Sequence, residues 1–124
     1  MSFIRPTHMT DPDFVGVMPQ GSRVSLKPGG TEHPLPIVLA DDTTVGIGVL
    51  ARPGVPGKYV AVIQLAEGEI EFVSDGTAIA VGDEITLATD GKVKAGGAVS
   101  TGFYAINTIE AGQTGGIVYG RKGE

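Results

Sequence analysis

The sequence predicts an all-β or mainly β domain: a compact small sandwich or barrel-like (β-tulip-like) body behind an extended N-terminal arm, with at most one or two short helices. Three observations carry this expectation. Glycine supplies 20 of the 124 residues, and glycine is costly inside helices and strands, so so many of them imply tight turns and bulges. Short apolar runs recur roughly every 8–12 residues between turn signals, the spacing of small all-β domains. One phrase also occurs twice, as Ile79-Ala80-Val81-Gly82-Asp83-Glu84-Ile85-Thr86-Leu87 and as Ile109-Glu110-Ala111-Gly112-Gln113-Thr114-Gly115-Gly116-Ile117-Val118. Each copy is an apolar residue, small residues and a glycine-centred turn that feeds a strand.

Residues 1–22 stand apart. Pro6, Pro12 and Pro19 punctuate isolated apolar residues (Phe3, Ile4, Phe14, Val15, Val17, Met18), and no helical or strand period holds across them. This reads as an extended arm, mobile when alone, whose apolar residues dock on a partner. The body is expected over residues 23–124. Arg23-Val24-Ser25-Leu26-Lys27 alternates as a strand with one buried face, and Pro28-Gly29-Gly30 ends it. Residues 35–39 read as an edge strand, because Pro34 and Pro36 cannot donate to a central ladder. Asp41-Asp42-Thr43-Thr44 reads as a turn and residues 45–51 as an apolar run broken by Gly46 and Gly48. The loop over residues 52–57 is stiffened by Pro53 and Pro56. A strand is expected over residues 59–65 and another from Ile70 to Val73 after a Glu67-Gly68-Glu69 turn.

The clearest hairpin joins residues 84–88 to Lys92-Val93-Lys94. Asp90-Gly91 supplies the positive φ angles that a type I′ turn needs. Residues 102–106 and 116–119 close the domain as strands. Residues 43–51 or 105–111 are the places for a short helix, though neither carries caps. Gly57, Gly82, Gly91 and Gly112 are the expected structural turn glycines.

Chemistry is scarce. There is no cysteine, hence no disulfide, thiolate metal site or thiol nucleophile. The two histidines, His8 and His33, fall in the arm and in a Pro/Gly-rich loop, and both read as solvated rather than catalytic. Asp11-Pro12-Asp13 and Asp41-Asp42 lack the spacing of a calcium loop. Glu67, Glu69 and Glu71 alternate as the wet face of a strand whose Ile70 and Phe72 point inward. Gly112-Gln113-Thr114-Gly115-Gly116 lacks the Gly-Lys-Ser/Thr ending of a phosphate loop. The formal net charge of −5 disfavours a nucleic-acid partner, which needs clustered Lys and Arg. No apolar run approaches a membrane span, and Met1-Ser2-Phe3-Ile4-Arg5-Pro6 shows no secretory signal. No cofactor and no metal are expected, and the reading points to a structural or binding role rather than an enzyme.

The stretch from Thr77 to Val93, with Ile79-Ala80-Val81-Gly82-Asp83-Glu84-Ile85-Thr86-Leu87 and Asp90-Gly91-Lys92-Val93, resembles the central motif of the capsid decoration (cement, head-stabilising) proteins of tailed bacteriophages. Gly102-Phe103-Tyr104-Ala105 and Ala111-Gly112-Gln113 with Ile117-Val118 resemble the motif that closes those domains. The resemblance spans roughly residues 45–120; Thr114-Gly115-Gly116 and the Pro-rich loop depart from the family's pattern. It implies a virion protein similar in role to the phage lambda decoration protein, made in the host bacterial cytoplasm and carried on the outer capsid surface. Its partners would be the major capsid protein, whose adjacent subunits it clamps, and itself, as a homotrimer at three-fold or quasi-three-fold sites. The arm residues Phe3, Ile4, Phe14, Val15, Val17 and Met18 are the expected capsid contacts.

Two other readings make different demands. A tail, baseplate or head-fibre domain, or a small carbohydrate-binding β-module, would present an aromatic platform from Tyr59, Phe103, Tyr104 or Tyr119. Their positions inside apolar strands predict burial instead. An enzyme would need Asp41, Asp42, His33 or Glu69 gathered in one pocket.

Overall fold

A computed structural model describes residues 6–31, 34–66 and 68–123. Among them the protein is all-β, with eleven strands and no helix. The strands are β1 (His8–Met9), β2 (Arg23–Leu26), β3 (Ile37–Leu39), β4 (Gly48–Leu50), β5 (Tyr59–Val60), β6 (Val62–Ile63), β7 (Glu69–Val73), β8 (Glu84–Leu87), β9 (Val93–Lys94), β10 (Ser100–Ala105) and β11 (Ile117–Lys122). They form a five-stranded sheet in the order β7-β11-β10-β8-β9, a four-stranded sheet in the order β3-β2-β4-β6, and the β1-β5 pair. Each strand pairing within these sheets is antiparallel. The two regions considered for a short helix carry strand and turn instead, as their lack of capping residues allows.

Alternation along the strands builds two cores. Ile70 and Phe72 of β7, Ile85 of β8, Phe103 and Ala105 of β10 and Val118 of β11 point inward, where they pack with Val49, Ile79, Val93 and Ile109. The Phe72 and Phe103 rings meet edge to face with centroids 5.7 Å apart, a favoured aromatic geometry. The smaller core gathers Met18, Val24, Ile37, Leu50 and Val60, with Phe14, Leu39, Ile47 and Val62 against it. Adjacent residues of β4 therefore serve opposite cores: Val49 faces the larger and Leu50 the smaller. A sheet apolar on both faces needs two covers. The five-stranded sheet supplies one, and the segment before β2 joins β5 in supplying the other.

The described part of that segment, from residue 6 on, is extended but does not stand off the body. Thr7 N–H donates to Val60 O, Thr10 N–H to Lys58 O and Asp11 N–H to Ile37 O. Met18 and Gly54 exchange both backbone hydrogen bonds, at 2.9 and 2.8 Å. Met18 is completely buried. The apolar residues that read as docking groups on a mobile arm are in part core residues, because the four-stranded sheet has a second apolar face to cover.

The strand expected over residues 59–65 is two strands. β5 pairs with β1, β6 pairs with β4, and Ala61 between them accepts a hydrogen bond from Ala51. The chain changes sheets there, a switch that alternation cannot register. The Asp90-Gly91 hairpin is present as expected, with φ of 55° at Asp90 and 71° at Gly91.

The repeated phrase folds into two matching turns that face each other. Ile79 and Ile109 form an antiparallel bridge, each N–H donating to the other's carbonyl, at 2.9 and 2.8 Å. Each then enters a type II turn with its glycine third, Ala80-Val81-Gly82-Asp83 and Glu110-Ala111-Gly112-Gln113, closed by a backbone bond of 3.0 Å in the first and 3.2 Å in the second. In each, the side-chain oxygen of the fourth residue accepts from the N–H of the first: Asp83 from Ala80 at 2.9 Å and Gln113 from Glu110 at 2.7 Å. Gly82 and Gly112 share a φ of 91°, which the third position of a type II turn requires. A Cβ at either would meet nothing within 4 Å. Gly82→Ala and Gly112→Ala are therefore expected to cost about 1 kcal/mol each, from backbone strain alone. Urea denaturation of the two variants checks this.

Candidate functional site

The buried residue that sequence reading placed least well is Arg23. It is completely buried in β2, opposite Val49 of β4. Its guanidinium donates to five backbone carbonyls: Ala88 at 2.6 Å, Thr44 at 2.8 Å, Lys92 at 2.9 Å, Asp41 at 3.1 Å and Val45 at 3.4 Å. Burial pulls its pKa down to about 10 against the raising pull of Asp41 and Asp42, so it stays a cation at neutral pH. The ladder around it is equally closed, with Arg23 N–H on Gly91 O and Gly91 N–H on Ala40 O. Arg23 thus ties the four-stranded sheet to the tip of the β8–β9 hairpin. Its donors are all spent on backbone, which makes it a structural staple with nothing left for a substrate.

The loop after β3 frames this staple. Asp41 accepts the Thr43 hydroxyl at 2.8 Å and the Thr43 and Thr44 N–H groups, each at 2.9 Å. Those bonds, led by the Thr43 hydroxyl, hold its carboxyl below the usual 3.8. A depressed carboxyl stabilises the fold above its unfolded value, and that contribution is lost as pH falls through the folded one. The Asp41 carboxyl resonance is accordingly expected to titrate below pH 3.8, and Thr43→Ala to move it back upward, read by carbon-detected NMR.

Most of the described groups an enzyme would need are occupied locally, and Asp42 lies exposed in the same turn as Asp41. Asp41 serves its own turn, Glu69 pairs with Arg121 at 3.0 Å, and Asp11 and Asp13 share Lys27 at 3.2 and 3.3 Å. His8 lies in β1 beside Thr7, and His33 lies outside the described residues. Among the described residues no three His, Cys, Asp or Glu side chains approach closely enough to hold a metal ion, and no helix is long and apolar enough to cross a membrane. A shallow open groove of about 370 Å³ is lined by Asp83, Glu84, Thr86 and the Ala95-Gly96-Gly97 loop. Its polar groups also have local tasks: Thr86 Oγ1 donates to Lys94 O and accepts from Gly97 N–H, and Asp83 closes its turn.

What remains exposed is surface. Of the six expected arm contacts, Phe3 and Ile4 lie outside the described residues, Met18 is inside the smaller core and Phe14 packs against it. Val15 and Val17 are exposed, and Val55 beside them as well. The Met18–Gly54 bridge sets Val17 across from Val55, and alternation turns both outward as Met18 turns in. The turn glycines Gly57, Gly82, Gly91 and Gly112 all have positive φ. The aromatic residues differ from expectation. Phe103 is buried, but Tyr59, Tyr104 and Tyr119 are 40–50% exposed. Each sits at an outward position of its strand, and the apolar residues beside it in sequence face the core. Glu69 and Glu71 lie on the wet side of β7 with Ile70 and Phe72 inward, as read; Glu67 lies outside the described residues.

No known family model and no curated protein matches the chain. Among solved structures it is similar to the head fiber gp8.5 N base of bacteriophage phi29, with a TM-score of 0.65 and 18% identity over 86% of each chain. At that identity the likeness establishes a shared fold. It spans most of both chains rather than one hairpin or sheet.

Proposed function

We propose that this protein is a structural component of a phage virion, mounted on the outside of the head. The observation that carries the reading is the likeness in fold, over 86% of each chain, to a phage head-fibre base. The motif resemblance to capsid decoration proteins leads to the same part of the virion by a separate route. In this reading the protein binds the major capsid protein, holds adjacent subunits together and self-associates as a trimer at three-fold positions. The exposed ridge of Val15, Val17 and Val55, together with Phe3 and Ile4, supplies the apolar contact. Apolar area at the centre of such a contact gives affinity without any cofactor, and a trimer multiplies it.

The same likeness favours a second reading, in which the domain is the base of a longer head fibre. The two separate on what lies beyond the domain: a decoration protein ends at the shell, and a fibre base carries a projection. Quantitative mass spectrometry of purified mature virions and of procapsids tests the proposal. The protein is expected in the mature particles at a fixed copy number. Its absence from both would overturn the virion reading.

A further inference from the structure

The outer face of the five-stranded sheet carries an ordered set of side chains that neither the cores nor the turns use. Register aligns Glu69, Arg121, Tyr104 and Glu84 in one row across β7, β11, β10 and β8. Glu71 and Tyr119 form the next row, with Gln20 Nε2 donating to Glu71 at 3.0 Å. Tyr104 and Tyr119 are therefore diagonal neighbours on adjacent strands, roughly 7–8 Å apart. Carboxylates flank them on both sides. The face carries three of these, Glu69, Glu71 and Glu84, against two cations: Arg121, which Glu69 already pairs, and Lys94, which sits opposite Thr86 on the β9 edge. The nearby Lys122 lies over the Phe103 ring at 5.3 Å.

We infer that this face is a docking surface for a cationic protein segment, one that presents Lys or Arg side chains to Tyr104 and Tyr119 between Glu71 and Glu84. Charge complementarity selects the occupant. The patch is net negative in a chain that is itself net negative, so a second copy or an acidic partner meets repulsion there. A cation gains both from the carboxylates and from the electron-rich ring faces. The present partners give way readily. Tyr104 Oη donates to Glu84 at 3.2 Å and Arg121 bonds Glu69 at 3.0 Å, both exposed, and exposed pairs of this kind hold weakly. The inference rests on the face itself and stands whether or not the virion reading does.

Nitrogen–proton correlation NMR of the full chain, titrated with a tetra-arginine peptide at low salt, tests it. Shift changes are expected to concentrate on β7, β10 and β11. Tyr119→Ser and Glu71→Gln should each weaken binding about two- to fivefold. Tyr119→Phe, which keeps the ring, should retain it, as should Glu110→Gln in the turn after Ile109. The spectrum of each variant reports its folding directly. The inference is overturned if shifts spread over every acidic residue and Glu110→Gln weakens binding as much as Glu71→Gln. It is equally overturned if the face answers only to a neutral oligosaccharide such as maltohexaose, or to protein concentration alone.

Discussion

Arg23→Met is expected to destabilise the protein by at least about 4 kcal/mol, a large share of the roughly 5–15 kcal/mol available to a domain of this size. Methionine fills much of the volume but donates nothing. The carbonyls of Ala88, Asp41, Thr44 and Val45 would then lose the guanidinium donor, while Lys92 O keeps the Ala88 N–H at 3.0 Å, and each buried acceptor left unpaired costs about 1–3 kcal/mol. Relaxation toward water at the Asp41–Val45 loop, whose first residues are exposed, limits the total. Arg23→Lys keeps the charge but loses the planar fork that reaches several acceptors at once, so it should fall between the two. Urea denaturation monitored by tyrosine fluorescence measures both. A loss below about 1 kcal/mol for Arg23→Met would mean that the carbonyl cage contributes little net stability.

The second large effect is expected at the same junction. Gly91→Ala should cost about 2–4 kcal/mol, well above Gly82→Ala, although both glycines have positive φ. The difference is space. A Cβ at Gly91 would come within 2.6 Å of Arg23 O and 3.1 Å of Leu39 Cδ2. Arg23 O cannot retreat freely, because it accepts the Ala40 N–H at 2.9 Å. Strain alone acts at Gly82, and strain plus collision acts at Gly91. Equal losses at the two positions would remove the close approach from this explanation. Because Arg23 and Gly91 touch, their combined variant should fall short of additivity.

The features legible in the sequence were those set by neighbours a few residues away. Asp90-Gly91 fixes a turn by its own φ preferences, and the Gly82 and Gly112 turns follow from short phrases. The alternation of Glu69, Ile70, Glu71 and Phe72 assigns faces without reference to the rest of the chain. Features that depend on distant partners were not legible. Arg23 looks like the wet position of an alternating strand, yet its acceptors lie 18 to 69 residues away. Met18 looks like an isolated apolar residue in a polar arm until Gly54 and the second face of the four-stranded sheet are known. The pairing of Ile79 with Ile109, which turns a repeated phrase into two facing turns, likewise crosses the chain.

The surfaces divide the same way. Exposure of Tyr104 and Tyr119 follows from alternation with Phe103 and Val118, once it is known that those two fill the core. Their alignment with Glu84 and Glu71 comes only from sheet order, which places β11 between β7 and β10 although it is last in sequence. No catalytic motif existed to be read. The proposed role therefore draws on a shared fold, over 86% of each chain, with a phage head-fibre base, and on which surface remains uncommitted after the cores are filled.

The most direct measurement is a binding titration on mature heads of the cognate phage that lack this protein, read by sedimentation and cryo-electron microscopy. Virion mounting requires saturable binding, with ordered density on the outer shell at symmetry-related sites. Val17→Asp should weaken it, since that exposed ridge position would then bring a charge into an apolar contact. Protein that stays in the supernatant at every concentration, with no added density on the shell, would contradict the proposed function.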